Sequence, residues 1–195
     1  MKQVKSNLLI AQSGGPTSVI NASAYGAIKE FISLASDYKV YAGLYGIEGI
    51  LEDRIIDIDT MDTIESLKYM PSSAFGSCRY KLKDYDVNEE EYKKILNIFK
   101  KYNIRYFLYI GGNDSMDTAN KLNIYMNKIG YDVNTIGVPK TIDNDLVETD
   151  HCPGFGSAAK YVANTCIEIW FDINAYKKES VVIVEVMGRD AGWIA

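Results

Sequence analysis

The chain has 195 residues, of which 47% are hydrophobic and 24% charged, as is typical of a globular protein with one full core. Its net charge of −5 and scattered basic residues exclude a nucleic-acid or anionic-membrane partner, since polyanions bind concentrated basic patches. A single histidine, His151, and no CxxC pair argue against a zinc cluster or a Ser-His-Asp triad.

The cysteines and the N-terminus indicate the compartment. Cys78, Cys152 and Cys166 are odd in number, which suits a reducing environment better than a disulfide framework. The apolar core of the N-terminal segment is too short for a signal peptide, and no window reaches the length of a membrane span. We therefore expect a cytoplasmic protein without a membrane segment.

In chain order, short strand-forming runs alternate with longer stretches of helical period. Strands are predicted over residues 7–12, 39–44, 104–110, 134–139 and 180–186, and helices over 18–32, 88–102, 115–129 and 156–173. The helix over 88–102 has the clearest signals, with Asn88 as N-cap, acids in the first turn and lysines in the last. This order predicts an α/β fold, a doubly wound and mainly parallel Rossmann-like sheet whose ligand site lies beyond the carboxyl ends of its strands.

The sequence ends in "GRDAGWIA", which begins a helical pattern and stops within about two turns. A chain that stops while opening an element is expected to be a fragment of a longer protein.

Four polar loops follow predicted strands and should meet at one edge of the sheet: "SGGPTS" (13–18), "GGNDS" (111–115), "PKTIDNDL" (139–146) and "MGRDAGW" (187–193). Two of them place a glycine pair, such as Gly14 and Gly15, between a strand and a helix. Glycine lets backbone N–H groups face an anion, and the helix N-terminus favours negative charge, so both loops could bind phosphate. Neither is a Walker A or GxGxxG sequence, and a simple tight turn is an equal alternative.

The charged residues of these loops suggest phosphoryl transfer. Asn113 and Asp114 could supply oxygen ligands to a hydrated Mg²⁺, although N-capping by Asp114 or Ser115 would explain the same residues. In "PKTIDNDL", Asp143 could act as a base and Lys140 as a phosphate clamp, with Asp145 a second carboxylate; the alternative is an Asx-turn beside a surface lysine.

Two arginines could hold phosphate groups. Arg189 follows Gly188 and could bind a sugar phosphate through its fork of N–H donors, or pair with Asp190 or Asp143. Arg79 lies in the glycine- and serine-rich stretch "FGSCRY" (75–80), where solvation is its only other explanation.

The loops "SGGPTSVINAS", "GSCRY", "GGNDS", "PKTIDNDL", "PGFGSAAKY" and "VEVMGRDAGW" resemble the signature loops of the phosphofructokinase family, in the same order and over essentially the whole chain. The resemblance is to its pyrophosphate-dependent branch, the diphosphate–fructose-6-phosphate 1-phosphotransferases. It implies a donor-binding set of residues: Gly14, Gly15, Arg79, Tyr80, Gly112, Asn113, Asp114 and Ser115. It also implies a sugar-binding set: Thr141, Ile142, Asp143, Asp145, Met187, Gly188 and Arg189.

The resemblance also implies roles. Asp143 is the base, with Lys140, Asp114 and Arg189 as further catalytic residues. Asn113 occupies the place of the family's magnesium-binding aspartate, which argues against direct ligation by Asn113 and favours either a water-mediated contact or ligation by Asp114. Asp114 and Lys140 replace two glycines of the ATP-dependent members; an aspartate side chain fills space that a nucleoside would need, and a lysine adds charge for a smaller diphosphate.

The expected activity is a glycolytic one, converting fructose 6-phosphate to fructose 1,6-bisphosphate with Mg²⁺ and pyrophosphate. Two alternatives remain: an ATP-dependent 6-phosphofructokinase and a non-catalytic phosphate-sensing module. Residues 1–195 would then be the donor-binding domain of a longer two-domain enzyme, homo-oligomeric in its full-length form, and inactive as a fragment if the second domain is needed for turnover.

Overall fold

Five strands form one sheet in the computed structural model, which describes residues 6–34, 38–58 and 61–195. They are β1 (Asn7–Gln12), β2 (Val40–Gly43), β3 (Ile55–Asp57), β4 (Ile104–Gly111) and β5 (Asn134–Pro139). Their order across the sheet is β3-β2-β1-β4-β5. Only β3 runs antiparallel to its neighbour, so the sheet is mainly parallel and the predicted α/β fold is confirmed.

The described helices are α1 (Ser18–Leu34), α2 (Gly46–Leu51), α3 (Met61–Leu67), α4 (Glu89–Lys101), α5 (Asn113–Lys128) and α6 (Phe155–Asn174). The chain divides into two compact units, Met1–Pro139 and Lys140–Ala195. The first unit contains the whole sheet and the first five helices, and α6 belongs to the second. No helix of the described residues is both long enough and apolar enough to span a bilayer.

Helices cover both faces of the sheet. Because side chains alternate along each strand, neighbouring residues of one strand pack into different core clusters. Leu8 and Ile10 of β1 join one core cluster, with residues of α1 and α3, whereas Leu9 and Ala11 join the other, with residues of α2, α4 and α5. All six residues of β1 are buried, as a strand with helices on both faces requires. The core therefore has two layers, one on each face of the sheet, and β1 is the central strand.

The predicted helix 88–102 is present as α4, and its burial and its charges explain why the sequence predicted it. Tyr92, Ile95 and Phe99 are fully buried on one face of α4. Three glutamates in the first turn and two lysines in the last complement the helix dipole. Asn88 is the N-cap residue, as predicted, but its side chain makes no capping hydrogen bond.

The second unit is mostly exposed. Its helix α6 has no buried residue, and several of its large apolar side chains are more than half exposed: Tyr161, Ile167, Trp170 and Phe171. The strand predicted over residues 180–186 is wrong, because these residues pair with no strand in the described part of the chain. Val181 and Ile183 are 91% and 89% exposed, so the apolar run that suggested a buried strand has no sheet neighbour here.

Candidate functional site

The first glycine loop connects β1 to α1 and is held by the segment that contains Arg79. The Gly14 N–H donates to the Cys78 carbonyl at 3.0 Å, and the Ser77 hydroxyl donates to the Gly14 carbonyl at 2.5 Å. Ser13 Oγ also donates to the Cys78 carbonyl, at 3.3 Å. Gly14 has φ +78°, a left-handed conformation that costs glycine little and other residues more. Gly14 is therefore fixed in a turn, and Gly15 lies between this turn and the first residue of α1.

The next two residues after Cys78 differ in what they offer a ligand. Arg79 is exposed, so its guanidinium is open to an anion. The Tyr80 hydroxyl instead donates to Glu91 Oε1 on α4, and its ring packs against the core cluster that contains α4. This hydrogen bond, followed by burial, raises the pKa of Tyr80 to about 12. Because the hydroxyl is used by Glu91, Arg79 is the side chain of this pair that presents a polar group to solvent.

The second glycine pair, Gly111 and Gly112, joins β4 to α5, and its two members have different surroundings. A Cβ on Gly111 would stand 2.1 Å from Ser115 Oγ, so this glycine lets α5 approach the strand. A Cβ on Gly112 would meet nothing within 4 Å, so the backbone there is open to a ligand. The carbonyl of Gly112 accepts from the N–H groups of Ser115 and Met116 at 3.0 and 3.1 Å.

The start of α5 argues against the capping alternative for Asp114 and Ser115. Gly112 is the N-cap residue, so both residues lie inside the first turn of the helix. Ser115 is buried against Gly111, whereas the side chains of Asn113 and Asp114 are exposed. Both exposed side chains are thus available for a ligand at a helix N-terminus.

The described residues contain no group of three or more histidine, cysteine, aspartate or glutamate side chains that could hold a metal ion. This does not conflict with Mg²⁺, which usually keeps several waters and takes only one or two protein carboxylates plus substrate phosphates. The carboxylate of Asp114 and the amide of Asn113 fit such a set, because both are exposed beside the open backbone of Gly112.

In the second unit, the loop after Pro139 is organised by Asn144. Its side chain donates to the Asp150 carbonyl at 3.2 Å and accepts from the Cys152 N–H at 2.8 Å. Asn144 also has φ +56°, so it turns the chain between the two aspartates of the loop. Sequence analysis overlooked this residue; its signal was an asparagine, which tolerates positive φ, between two carboxylates.

Asp143 is buried, with 6% of its surface exposed, and its backbone N–H donates to Thr141 Oγ1 at 3.1 Å. Arg189 Nε lies 4.0 Å from Asp143 Oδ2. This is one of the two ion pairs considered for Arg189, and it leaves 71% of the arginine side chain exposed. A buried carboxylate close to an exposed guanidinium can accept a proton while the guanidinium contacts an anion.

The remaining predicted residues of this unit lie on two short segments. Lys140, Thr141 and Ile142 are half-buried, and Asp145 is exposed. Met187 is exposed, and Gly188 forms a turn in which its carbonyl accepts from Ala191 N–H at 2.8 Å. The predicted site residues therefore form two groups, one around the glycine loops of the first unit and one around Asp143 of the second.

A mainly parallel α/β sheet with glycine loops between strand and helix after β1 and β4 is typical of domains that bind phosphate groups. The family model described as phosphofructokinase matches residues 7–195, and the chain belongs to that family. The pyrophosphate–fructose 6-phosphate 1-phosphotransferase of Halomonas elongata is 48% identical over 195 residues, and that of Xanthomonas campestris is 49% identical over 193. Each match covers 97% of this chain and 46% of the relative.

Among solved structures, the pyrophosphate-dependent phosphofructokinase from Nitrosospira multiformis is similar, with a TM-score of 0.89 and 46% identity. That match covers 97% of this chain and 48% of the solved one. The chain thus spans about half the length of the curated relatives it matches.

Proposed function

We propose that the protein transfers a phosphoryl group from pyrophosphate to fructose 6-phosphate, forming fructose 1,6-bisphosphate and phosphate. Relatives with 46 to 49% identity carry the name of this activity. The structural observation that carries the proposal is the pair of hydrogen bonds between Gly14 and residues 77 and 78, which fixes a glycine loop next to the exposed Arg79. The two-domain organisation expected from the sequence stays a prediction.

The donor is bound by the glycine loops and Arg79. Gly112 offers an open backbone, and residues 113–115 add the N-terminus of the 16-residue helix α5, while Gly14 and Gly15 shape the turn between β1 and α1. Arg79 contributes a full positive charge and a bidentate geometry that suits phosphate oxygens. Tyr80 contributes through its backbone, since its hydroxyl is bonded to Glu91 and its ring packs against the core.

Asp114 would hold Mg²⁺ directly, and Asn113 would contact it through water. When bound, it neutralises charge on the phosphate oxygens. Support for this assignment comes from the exposed positions of both side chains in the first turn of α5.

Proton transfer is assigned to Asp143. Its carboxylate accepts the proton of the sugar 1-hydroxyl as that oxygen attacks phosphorus, the bond to the bridging oxygen breaks, and phosphate leaves. Lys140 and Arg189 neutralise charge on the phosphate groups. Thr141, Ile142, Asp145, Met187 and Gly188 complete the sugar-binding segments, in keeping with the family signature.

The test uses the purified protein as its gene encodes it, with fructose 6-phosphate and either magnesium pyrophosphate or magnesium ATP. We expect equal amounts of phosphate and fructose 1,6-bisphosphate from pyrophosphate, and much slower turnover from ATP. In the same assay, Asp143→Asn should lower kcat by about 10²-fold or more, as for loss of a catalytic base. Asp150→Asn, an exposed carboxylate of the same loop, is the matched control and should leave kcat unchanged.

Product from ATP alone would contradict the proposed donor. Binding of pyrophosphate without phosphate release would contradict the proposed activity, and near-normal turnover by Asp143→Asn would contradict the role of Asp143.

The same proposal includes a cytoplasmic location and a homo-oligomeric state. Cys78, Cys152 and Cys166 are unpaired thiols, which supports a cytoplasmic location. The homo-oligomer implied by the family stays a prediction, which the mass of the encoded protein in solution, measured by light scattering, would check.

A further inference from the structure

Two buried amide side chains stand at the junction of β1 and α1, beneath the first glycine loop. Gln12 ends β1 and Asn21 lies in the first turns of α1, and both are fully buried. Gln12 Nε2 donates to Asn21 Oδ1 at 2.9 Å, which joins them into one unit that we call the amide pair. A buried amide is costly unless its donors and acceptors are used, so the partners of this pair show what it holds.

The partners of the amide pair all lie in the segment that leads to Arg79. Gln12 Oε1 accepts from the Phe75 N–H at 3.0 Å and lies 2.8 Å from Ser73 Oγ. Asn21 Oδ1 accepts from the Ala74 N–H at 2.8 Å, and Asn21 Nδ2 donates to the Met70 carbonyl at 2.9 Å. The Pro71 carbonyl, at 3.3 Å, is a further acceptor for Asn21 Nδ2.

This segment has no helix or strand of its own to define its shape. Residues 70–81 form only turns and irregular backbone, with positive φ at Ser72 and Gly76. A Cβ on Gly76 would stand 2.6 Å from the Tyr45 ring, so the backbone passes directly against that ring. The hydrogen bonds from Gln12 and Asn21 therefore take the place of the backbone hydrogen bonds that define a helix or a strand.

The fixed segment continues without interruption into the donor site. Ser77 and Cys78 follow it and hold Gly14 through the two hydrogen bonds already described. Arg79 is the next residue. The position of its Cα relative to the Gly14 turn is thus set by the residues that precede it, since the amide pair holds residues 70–75 and residues 77 and 78 bond to Gly14.

We propose that Gln12 and Asn21 are positioning residues of the pyrophosphate subsite, acting through Arg79 and the Gly14 loop. The inference rests on the proposed function, because it names the residues that shape the donor-binding half of that site. An alternative explanation is that the pair merely satisfies buried polar groups in the core, which would affect stability alone.

The chain provides a matched control at the other end of the same strand. Asn7, the first residue of β1, is also buried, with 8% exposure, and its side chain joins two loops. Its Nδ2 donates to the Tyr102 carbonyl at 2.7 Å, and its Oδ1 accepts from the Lys39 N–H at 3.0 Å. Asn7 thus makes the same kind of bond but at the amino edge of the sheet, away from the glycine loops.

The test compares Asn21→Asp, Gln12→Glu and Asn7→Asp in the protein as its gene encodes it. Each replacement keeps the acceptor oxygen and removes the N–H donor, so all three should weaken folding in urea titrations. For Asn21→Asp and Gln12→Glu we expect the KM for magnesium pyrophosphate to rise about tenfold, the size of one lost buried hydrogen bond, with the KM for fructose 6-phosphate unchanged. Asn7→Asp should leave both KM values unchanged.

A double-mutant cycle tests the route through Arg79. In an Arg79→Ala background, Asn21→Asp should change the KM for pyrophosphate much less than in the wild type, because the side chain it positions is gone. Ser73→Ala removes one bond from the rim of the network and serves as a milder variant if the amide replacements do not fold. It should raise the same KM about threefold.

Equal effects of Asn21→Asp and Asn7→Asp on the KM for pyrophosphate would overturn the proposal, as would fully additive effects of Asn21→Asp and Arg79→Ala. These failures differ from failure of the proposed function, in which the wild-type protein would release no phosphate from pyrophosphate at all.

Discussion

Two adjacent glycines, Gly111 and Gly112, carry different constraints at the end of β4. Replacing Gly111 by alanine would place a methyl group 2.1 Å from Ser115 Oγ and 3.0 Å from the Ser13 carbonyl. We expect Gly111→Ala to lower the free energy of unfolding by about 1–3 kcal/mol, since overpacking forces α5 away from the strand. Urea titration of the two alanine variants would measure the difference.

Gly112→Ala is the matched control for Gly111→Ala, because nothing lies within 4 Å of the added methyl group. Its stability should stay close to that of the wild type, while its affinity for magnesium pyrophosphate, measured by calorimetry, should fall. Equal destabilisation by the two alanines would show that the contact with Ser115 does not constrain the loop.

The hydroxyl of Tyr80 should give stability a specific pH dependence. Its pKa is raised to about 12, first by the hydrogen bond to Glu91 and then by burial, whereas an unfolded tyrosine ionises near pH 10. Its contribution to the free energy of unfolding is therefore fully present below about pH 10. It is lost as the pH rises from about 10 to 12, because the unfolded tyrosine ionises before the folded one.

We expect Tyr80→Phe to lower the free energy of unfolding by about 1–2 kcal/mol near neutral pH, because Glu91 loses its partner. Among the described residues Glu91 Oε2 already has no hydrogen-bond partner, so the variant leaves the whole carboxylate unsatisfied. The difference from wild type should shrink between about pH 10 and 12 in urea titrations. Tyr106→Phe, at a tyrosine 37% exposed, is the control, and a difference that grows with pH would contradict the assignment.

At the scale of elements, Lys121 connects α5 to the loop that precedes α4. Its Nζ donates to the Leu82 carbonyl at 3.1 Å and pairs with Asp84 and Asp117 at 3.0 and 2.8 Å. Only 18% of the side chain is exposed, so these contacts are partly shielded from water and salt. Lys121→Met should lower the free energy of unfolding by about 1–2 kcal/mol, an effect that persists in high salt.

Lys93 on α4 is the comparison for Lys121. It also forms two ion pairs, with Glu89 and Glu90 at 2.9 and 3.0 Å, but 48% of its side chain is exposed. Lys93→Met should have no measurable effect on stability in high salt, because exposed pairs are screened. If both variants responded equally to salt, shielding of the Lys121 contacts would not be the reason for their strength.

The elements that sequence patterns predicted well are those whose burial is periodic. Residues 7–12 and 134–139 were predicted with their full bounds as β1 and β5, and α4 with an error of one residue at each end. The three elements overlooked, α2, β3 and α3, have only 6, 3 and 7 residues. Such short elements contain too few residues for a period to appear, and tertiary contacts decide them.

The candidate site was predicted only as far as residue types allow. The glycine pairs and charged loops identified the segments that carry the candidate site residues. The sequence pattern could not reveal that the Tyr80 hydroxyl bonds to Glu91. Nor could it reveal that Gln12 and Asn21 hold residues 70–75, since those partners are 49 or more positions away in the chain. Long-range hydrogen bonds leave no local period, whereas an unexplained amide at the end of an apolar strand does leave a hint.

For the molecule as a whole, net charge and proposed ligand have the same sign. The chain carries a formal charge of −5, so its overall field repels pyrophosphate, and attraction has to come from local groups. Under the proposed function, the first unit offers the start of α5 and the side chain of Arg79, and the second unit offers the side chain of Lys140. Donor choice should therefore depend on single charges in these loops rather than on total charge.

The double variant Asp114→Gly with Lys140→Gly tests this dependence without altering net charge. Removing the Asp114 side chain clears space and negative charge for a nucleotide at the exposed start of α5, and removing Lys140 weakens the hold on a small diphosphate. We expect the ratio of kcat/KM for pyrophosphate to that for ATP to fall by about 10²-fold. Asp86→Gly with Lys83→Gly, which removes the same two charges from an exposed loop, should keep the wild-type ratio. A ratio that changes equally in both double variants would contradict the assignment of donor choice to the loops after β4 and β5.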